Sequence, residues 1–227
     1  MIDKIRHTMD EAMAAVFPGA TVMVGGFGPS GSPVQLLEAL RRHGAGDLTL
    51  ISNNAGVGDD GIGSLLRDGL VRRIVCTYPR SSGSVWFEKL YAAGAIELEV
   101  VPQGTFIERM RAAGTGIGGF FTPTGYGTKL AEGKETRVID GRGYVFEKPL
   151  PADVALVKAL AADRWGNLTY RSAGRNFNTS MAMAAKVTIA EVEQTAPLGG
   201  LSPSLIATPG IYVTHVVPQE AALDETA

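Results

Sequence analysis

Gly26, Gly28 and Gly31 stand in a G-x-G-x-x-G spacing within Val24-Gly25-Gly26-Phe27-Gly28-Pro29-Ser30-Gly31-Ser32-Pro33. An apolar stretch precedes them and a helical pattern follows. A glycine-rich turn between a strand and a helix presents unhindered N–H groups near the positive end of the helix. That suits a phosphate, a carboxylate or an oxyanion. A dinucleotide fits poorly. Its ribose hydroxyls need an acidic residue about 20 positions on, at the end of the second strand, and that strand ends Ser52-Asn53-Asn54-Ala55-Gly56. Pro29 and Pro33 also move the helix start beyond the third glycine. No Walker-type loop exists, since Gly133-Lys134 continues with Glu135.

Other reactive residue types are sparse. The single cysteine, Cys76, lies in the apolar run Ile74-Val75-Cys76 and reads as a buried structural thiol. His7, His43 and His215 are scattered and have no metal-ligand spacing, so no metal and no resident cofactor are expected. Glu38, Glu88 and Glu108 fall in helical patterns and read as solvated helix faces. Arg80 follows Pro79 at a strand end, where open sheets bind ligands; it either meets an anionic substrate or forms a surface ion pair.

The elements that must position these residues alternate along the first two thirds of the chain. Thr8 and Glu11 form a capping box ahead of a helix with Met9, Ala12, Met13, Val16 and Phe17 on one face. Strands are predicted at 20–24, 48–51, 71–77 and 97–101. Between them, Ser32 (N-cap), Pro33 (N1) and Gln35 (N3) open a helix with an apolar face of Leu36, Leu37 and Leu40 that stops at Gly44. A helix with Trp86, Phe87, Leu90 and Tyr91 ends at Gly94. Thr105 and Glu108 cap another that runs to Ala113 and ends at Gly114. This alternation predicts an α/β fold: an open, mostly parallel sheet with helices on both faces.

The pattern then changes. Six glycines between Gly114 and Gly127, with Phe120, Phe121 and Tyr126, predict a long ordered loop. Residues 138–147 predict a hairpin around Asp140-Gly141. Strands follow at 154–157 and 187–192, with a short helix at 181–186. With no linker and no repeat, residues 1–227 are expected to form one domain, frayed after Pro218.

Composition removes several function classes. The 227 residues are 45% hydrophobic and 19% charged, which is globular composition. The 21 Lys+Arg against 23 Asp+Glu give a net charge of −2, so nucleic acid is not an expected partner. No apolar run reaches the roughly 18 residues of a membrane span, and the start Met1-Ile2-Asp3-Lys4 has no apolar leader core. No membrane partner is expected, and the chain reads as cytoplasmic.

Residues 24–33 resemble the G-G-F-x-x-x-G-x-P signature of the A (α) subunits of family I coenzyme A transferases. The resemblance continues through Ile51-Ser52-Asn53-Asn54-Ala55-Gly56, Glu99-Val100-Val101-Pro102-Gln103-Gly104 and Phe121-Thr122-Pro123-Thr124-Gly125-Tyr126-Gly127-Thr128. It extends to Asp163-Arg164-Trp165-Gly166-Asn167-Leu168-Thr169-Tyr170 and Thr208-Pro209-Gly210-Ile211, and covers about residues 5–217. Pro18 departs from the acidic or amide residue usual before the first strand. Gly116-Ile117-Gly118-Gly119-Phe120-Phe121 and Glu135-Thr136-Arg137-Val138-Ile139-Asp140-Gly141-Arg142 resemble the branch acting on 3-oxoadipate more than the acetoacetate type.

The resemblance implies covalent catalysis. A glutamate carboxylate on a B subunit, in a Ser-Glu-Asn-Gly motif, attacks an acyl-CoA and becomes a glutamyl-CoA thioester. Coenzyme A enters as part of a substrate. Asn53 stands where the nucleophile would be, and an amide cannot play that part. The resemblance therefore implies no catalytic nucleophile here. It assigns Gly25, Gly26, Phe27, Gly28, Pro29, Ser30 and Gly31 to a CoA- or oxyanion-binding loop. Asn53, Asn54, Gln103, Gly104, Thr122, Thr124 and Asn167 become candidates for acyl or subunit contacts. The implied partners are the B subunit, in a heterodimer or heterotetramer, with succinyl-CoA as donor and a 3-oxo acid as acceptor. A non-catalytic acyl-CoA-binding module of the same fold and a dinucleotide oxidoreductase remain as other readings.

Overall fold

Alternate residues of the strands enter two separate cores. Val22, Val24, Leu48, Leu50, Ile74, Cys76, Val154 and Leu156 pack on one side of the sheet. Met23, Ile51, Val75, Ala155, Val157 and Ala159 pack on the other. A strand buried on both faces is apolar without alternation in type, which is the pattern of a parallel sheet covered by helices. In the computed structural model, which describes residues 2–220, the chain order is α1 (Met9–Ala12), β1 (Thr21–Val24), α2 (Val34–His43), β2 (Leu48–Asn54), α3 (Ile62–Arg67) and β3 (Val71–Tyr78). Then come α4 (Val85–Ala92), β4 (Glu97–Val100), α5 (Gln103–Thr115), β5 (Phe120–Thr122), β6 (Thr136–Ile139) and β7 (Arg142–Glu147). The last elements are β8 (Ala152–Asp163), β9 (Leu168–Thr169), α6 (Asn178–Ala184), β10 (Ala185–Ala196) and β11 (His215–Pro218).

Seven strands lie parallel in the order β11-β10-β8-β1-β2-β3-β4, and β9 pairs antiparallel with β8. Helices α1 to α4 supply Met9, Leu36, Leu40, Leu65 and Phe87 to the first core. Helices α5 and α6 supply Phe106, Met110 and Met181 to the second. The expected α/β architecture is therefore present. Successive strands move outward one way from β1 through β2 to β4. The chain then returns to the other side of β1 with β8 and moves outward through β10 and β11. That reversal is the topological switch point, where the carboxyl ends of the strands leave a crevice.

Local expectations were met unevenly. Thr8 Oγ1 accepts from Glu11 N–H at 3.1 Å, so the cap is real, but the α-helix lasts four residues before a 3-10 turn at Met13–Ala15. Phe17, expected on its buried face, is half exposed because the chain has left the helix. The helix predicted from Thr105 begins at Gln103 and runs through Gly114 to a left-handed stop at Gly116. Gly114 is there for packing, since a Cβ on it would stand 2.7 Å from Met183 Cβ on α6. The residues predicted as a loop contain β5, which joins β7 and β6 in a three-stranded antiparallel sheet. Its hairpin turns at Asp140 and Gly141, both with positive φ (50° and 77°), the combination a type I′ turn requires.

α2 is the informative departure. Leu36, Leu37 and Leu40 are buried as expected, each worth about 1.5–3 kcal/mol of apolar transfer. Ser32, however, does not cap it; Pro33 occupies the N-cap and offers no side-chain acceptor. The acceptor comes from β10: Glu191 Oε2 takes the N–H groups of Gln35 (2.9 Å) and Leu36 (3.0 Å). At the chain end, Gln219 N–H donates to Val192 O at 2.8 Å, so pairing continues past Pro218; the remainder of the tail expected to fray, 221–227, lies outside the described residues. No helix among the described residues is long and apolar enough to cross a membrane.

Candidate functional site

A cleft of about 400 Å³ opens beyond the carboxyl ends of β1 and β2, walled by the glycine turn on one side and the turn after β2 on the other. Gly25, Gly26, Gly28 and Pro29 line it with Ser52, Asn53, Asn54 and Gly56. A second cleft of about 490 Å³ shares Gly28, Asn53 and Asn54 and adds Phe27, Thr77, Tyr78, Ser81 and Gln103. Both volumes are in the range of small-ligand sites. Tertiary folding thus gathers three sequence motifs, from the ends of β1 and β2 and the start of α5, into one wall-sharing pair of clefts.

The glycine turn is built as a miniature hairpin. Phe27 N–H donates to Ser30 O at 2.9 Å and Ser30 N–H to Phe27 O at 3.2 Å, leaving Gly28-Pro29 as its two-residue tip. Gly28 has φ +58°, and a Cβ there would meet nothing within 4 Å. Gly25 N–H donates to Leu156 O at 2.9 Å on β8, and Gly26 N–H to Asn176 Oδ1 at 3.2 Å. The sequence pattern led us to expect these N–H groups to face a ligand; two of them are spent on holding the turn. The α2 N-terminus is likewise taken by Glu191. Gly28 N–H has no partner among the described residues and lies at the wall common to both clefts. Ser30 and Gly31 turn to the opposite side, into a smaller pocket with Lys158, Tyr170 and Arg171.

Phe27 is half exposed. Its ring stacks on Phe177 with centroids 6.4 Å apart, and Phe177 meets Phe106 edge-on at 5.6 Å. It therefore serves both as cleft wall and as an anchor tied to the α5–α6 core.

Asn53 is buried. Its Nδ2 donates to Thr77 Oγ1 at 2.9 Å, and that hydroxyl donates back to Asn53 O at 3.0 Å. Asn54 Oδ1 accepts Gly56 N–H at 2.8 Å, which tightens the turn after β2. Asn54 Nδ2 and the Gln103 amide have no internal partner among the described residues. Of the described residues lining the two clefts, Asp60 is the only carboxylate, exposed at the rim, and there is no Lys, Arg or His. The site can donate hydrogen bonds to a carbonyl, an oxyanion or a carboxylate. It holds no buried carboxylate, thiol or imidazole to attack one.

Other candidates lie elsewhere. Gly104 sits in the first turn of α5 and lines neither cleft. Thr122 and Thr124 belong to the small-sheet region, where Thr122 Oγ1 accepts Thr124 N–H at 3.3 Å in a local turn. Asn167 is a clamp: its Nδ2 donates to Asp163 Oδ2 at 2.8 Å and its Oδ1 accepts Gly210 N–H at 2.8 Å, fixing the β8–β9 turn to the segment before β11. Arg80 is largely exposed, 3.6 Å from Glu88. Cys76 is fully buried, as expected of a structural thiol, and burial pushes its thiol up to about 12.

Sequence reasoning missed Asn176 and Asn178. Asn178 is fully buried; its Nδ2 donates to Gly31 O (3.0 Å) and Gly174 O (2.8 Å), and its Oδ1 accepts Lys158 N–H (3.0 Å). An Asn-Phe-Asn triplet a few residues before the helix predicted at 181–186 was the available signal, but nothing local says that Asn176 meets Gly26 across 150 residues.

Residues 6–219 match the coenzyme A transferase family. The chain belongs to that family. It is 58% identical over 222 residues to the A subunit of the 3-oxoadipate CoA-transferase of Pseudomonas putida, covering 98% of this chain and 96% of that one. It is 47% identical to the A subunit of a probable succinyl-CoA:3-ketoacid coenzyme A transferase of Bacillus subtilis, covering 94% and 89%. The solved glutaconate coenzyme A-transferase of Acidaminococcus fermentans superposes with a TM-score of 0.84 at 22% identity, covering 95% of this chain and 75% of that one. That agreement extends the family assignment to the fold of this CoA-transferase chain.

Proposed function

We propose that this chain is the A subunit of a two-subunit CoA-transferase that moves CoA from succinyl-CoA to 3-oxoadipate. A glutamate on a B subunit, within a Ser-Glu-Asn-Gly motif, is the nucleophile. The observation that carries this reading is a cleft that offers Gly28 N–H and the Asn54 and Gln103 amides as donors and holds no buried carboxylate, with Asn53 standing where the family resemblance puts the nucleophile. The 58% identity to the A subunit of a 3-oxoadipate CoA-transferase supports the choice of acceptor.

The chemistry balances as a ping-pong cycle. The partner glutamate attacks the succinyl thioester carbonyl, forming a mixed anhydride and releasing the CoA thiolate. The thiolate attacks the glutamyl carbonyl, giving glutamyl-CoA and succinate. The acceptor carboxylate then attacks glutamyl-CoA, and the released thiolate attacks the acceptor acyl carbon, regenerating the glutamate. Each attack develops an oxyanion. Gly28 N–H is the donor this chain has free for it, and a preorganised donor costs no reorganisation when charge develops. Asn54 Nδ2 and Gln103 can donate to the distal carboxylate that succinate and 3-oxoadipate share. Acetoacetate lacks that group and would leave those donors unpaired.

The test is to purify the tagged chain with and without its co-purifying partner and assay succinyl-CoA with 3-oxoadipate and with acetoacetate. The expected outcome is no transfer by the chain alone, and a higher kcat/KM for 3-oxoadipate in the complex. Transfer by the chain alone would sink the divided site, and preference for acetoacetate would overturn the acceptor.

A further inference from the structure

We propose that Asn176 is a positioning residue for the transfer reaction, gripping both legs of the glycine turn from behind so that Gly28 N–H stays fixed at the cleft wall. The proposal rests on the reading of that turn as the oxyanion-stabilising wall.

The turn Phe27–Ser30 is closed on itself by two backbone bonds, which set its shape but not its place in the molecule. Asn176 ties both legs to the body. Its Oδ1 accepts Gly26 N–H (3.2 Å) on the entering leg, and its Nδ2 donates to Ser30 O (3.0 Å) on the leaving leg. The side chain is itself pinned, because Oδ1 also accepts Phe177 N–H (2.7 Å) and Nδ2 donates to Ala173 O (2.9 Å). Only a group with an acceptor and a donor side by side serves both legs, and a primary amide is that group. Aspartate keeps an acceptor for Gly26 but turns a second oxygen toward Ser30 O. Alanine holds neither leg. Gly28, at the hairpin tip, is two residues from each tethered leg, so a looser tether moves its N–H most.

Asn176 touches no reacting atom, so its loss should act on the rate through geometry. A misplacement of about 1 Å in a catalytic array costs on the order of 10²-fold. The experiment compares Asn176→Asp and Asn176→Ala with the wild type in the complex with the partner subunit. Asn176 is only half-buried, and the aspartate variant keeps its size, so it decides the matter if the alanine variant does not fold. The expected result is a kcat lowered by about 10²-fold, a KM for succinyl-CoA within about two-fold, and faster hydrogen exchange confined to peptides covering 24–32. A kcat near wild type, or a loss matched by global unfolding or loss of the partner, overturns the proposal. A wild-type complex that transfers no CoA defeats the functional reading instead, which the variants' exchange rates do not address.

Discussion

Gly25 and Gly28 stand three positions apart in one turn and meet opposite surroundings. A Cβ on Gly25 would stand 2.7 Å from Cγ of the buried Asn178 and closer still to its Oδ1. Gly25→Ala must therefore displace a side chain that makes four hydrogen bonds, and overpacking of this kind costs about 1–3 kcal/mol before those bonds are counted. The expected outcome is a lower melting temperature. Gly28→Val meets open space but forces a β-branched residue to φ +58°, at a strain of about 1–3 kcal/mol. It should fold, by circular dichroism, yet lose on the order of 10²–10³ in kcat, as for loss of one oxyanion donor. A folded Gly28→Val complex with wild-type turnover would remove this turn from the mechanism. Cys76 belongs to the same scale: at pH 8 iodoacetamide should leave it unmodified in the folded chain and alkylate it fully in urea, because the buried thiol does not ionise there.

At the scale of elements, α2 depends on a strand far from it in sequence. Glu191 caps its N-terminus with Oε2, while Oε1 accepts Gln219 Nε2 at 2.6 Å and lies 3.8 Å from Lys158 Nζ. One fully buried carboxylate thus joins α2, β8, β10 and the segment after β11. Glu191→Ala leaves two helix N–H groups without an acceptor and leaves the Lys158 ammonium only Glu193, 3.9 Å away, a loss of roughly 3–5 kcal/mol for breaking a buried charge cluster. Urea unfolding should show it as a lower midpoint with an unchanged slope. An unchanged midpoint would mean that water or Ser32 takes over the cap. A comparable device holds the small sheet: Arg109 on α5 pairs with Glu99 at 2.8 Å, donates to Lys148 O at 2.9 Å and stands 3.9 Å from Glu147 on β7.

For the whole molecule, these pairings set the response to acid. Burial alone would raise the Glu99 carboxyl, but its bonds to Arg109 and Arg73 outweigh that and hold it below its ordinary 4.5. The Lys186 ammonium and then Thr21 N–H hold Asp153 below 3.8. Both bind protons more readily unfolded, so their stabilisation is present above those ordinary values and is lost as pH falls through the folded ones. Glu191 runs the other way: burial raises it despite its hydrogen bonds, so its contribution is largest in acid and is lost as pH rises through its folded value. With four carboxyls depressed among the described residues (Glu38, Asp68, Glu99 and Asp153) against Glu191 raised, the chain should lose stability between about pH 5 and pH 3. Glu99→Gln should start lower at pH 7 and fall less steeply. Parallel slopes for variant and wild type in urea titrations at each pH would exclude Glu99 from the acid response.

Features set by neighbours in the chain were legible before any fold was known. The apolar strand runs, the helix stop at Gly44, the Asp140-Gly141 turn and the glycine turn between a strand and a helix all follow from local sterics and side-chain polarity. The ordered motifs carried the family. Long-range packing settled which N–H groups of the turn are free, which residues tether it and what caps α2. Gly26 meets Asn176 across 150 residues and Gln35 meets Glu191 across 156. A hydrogen bond at that separation exists only because the parallel sheet places β8 beside β1 and β10 beside β8, and no local pattern encodes which distant acceptor a backbone N–H will find.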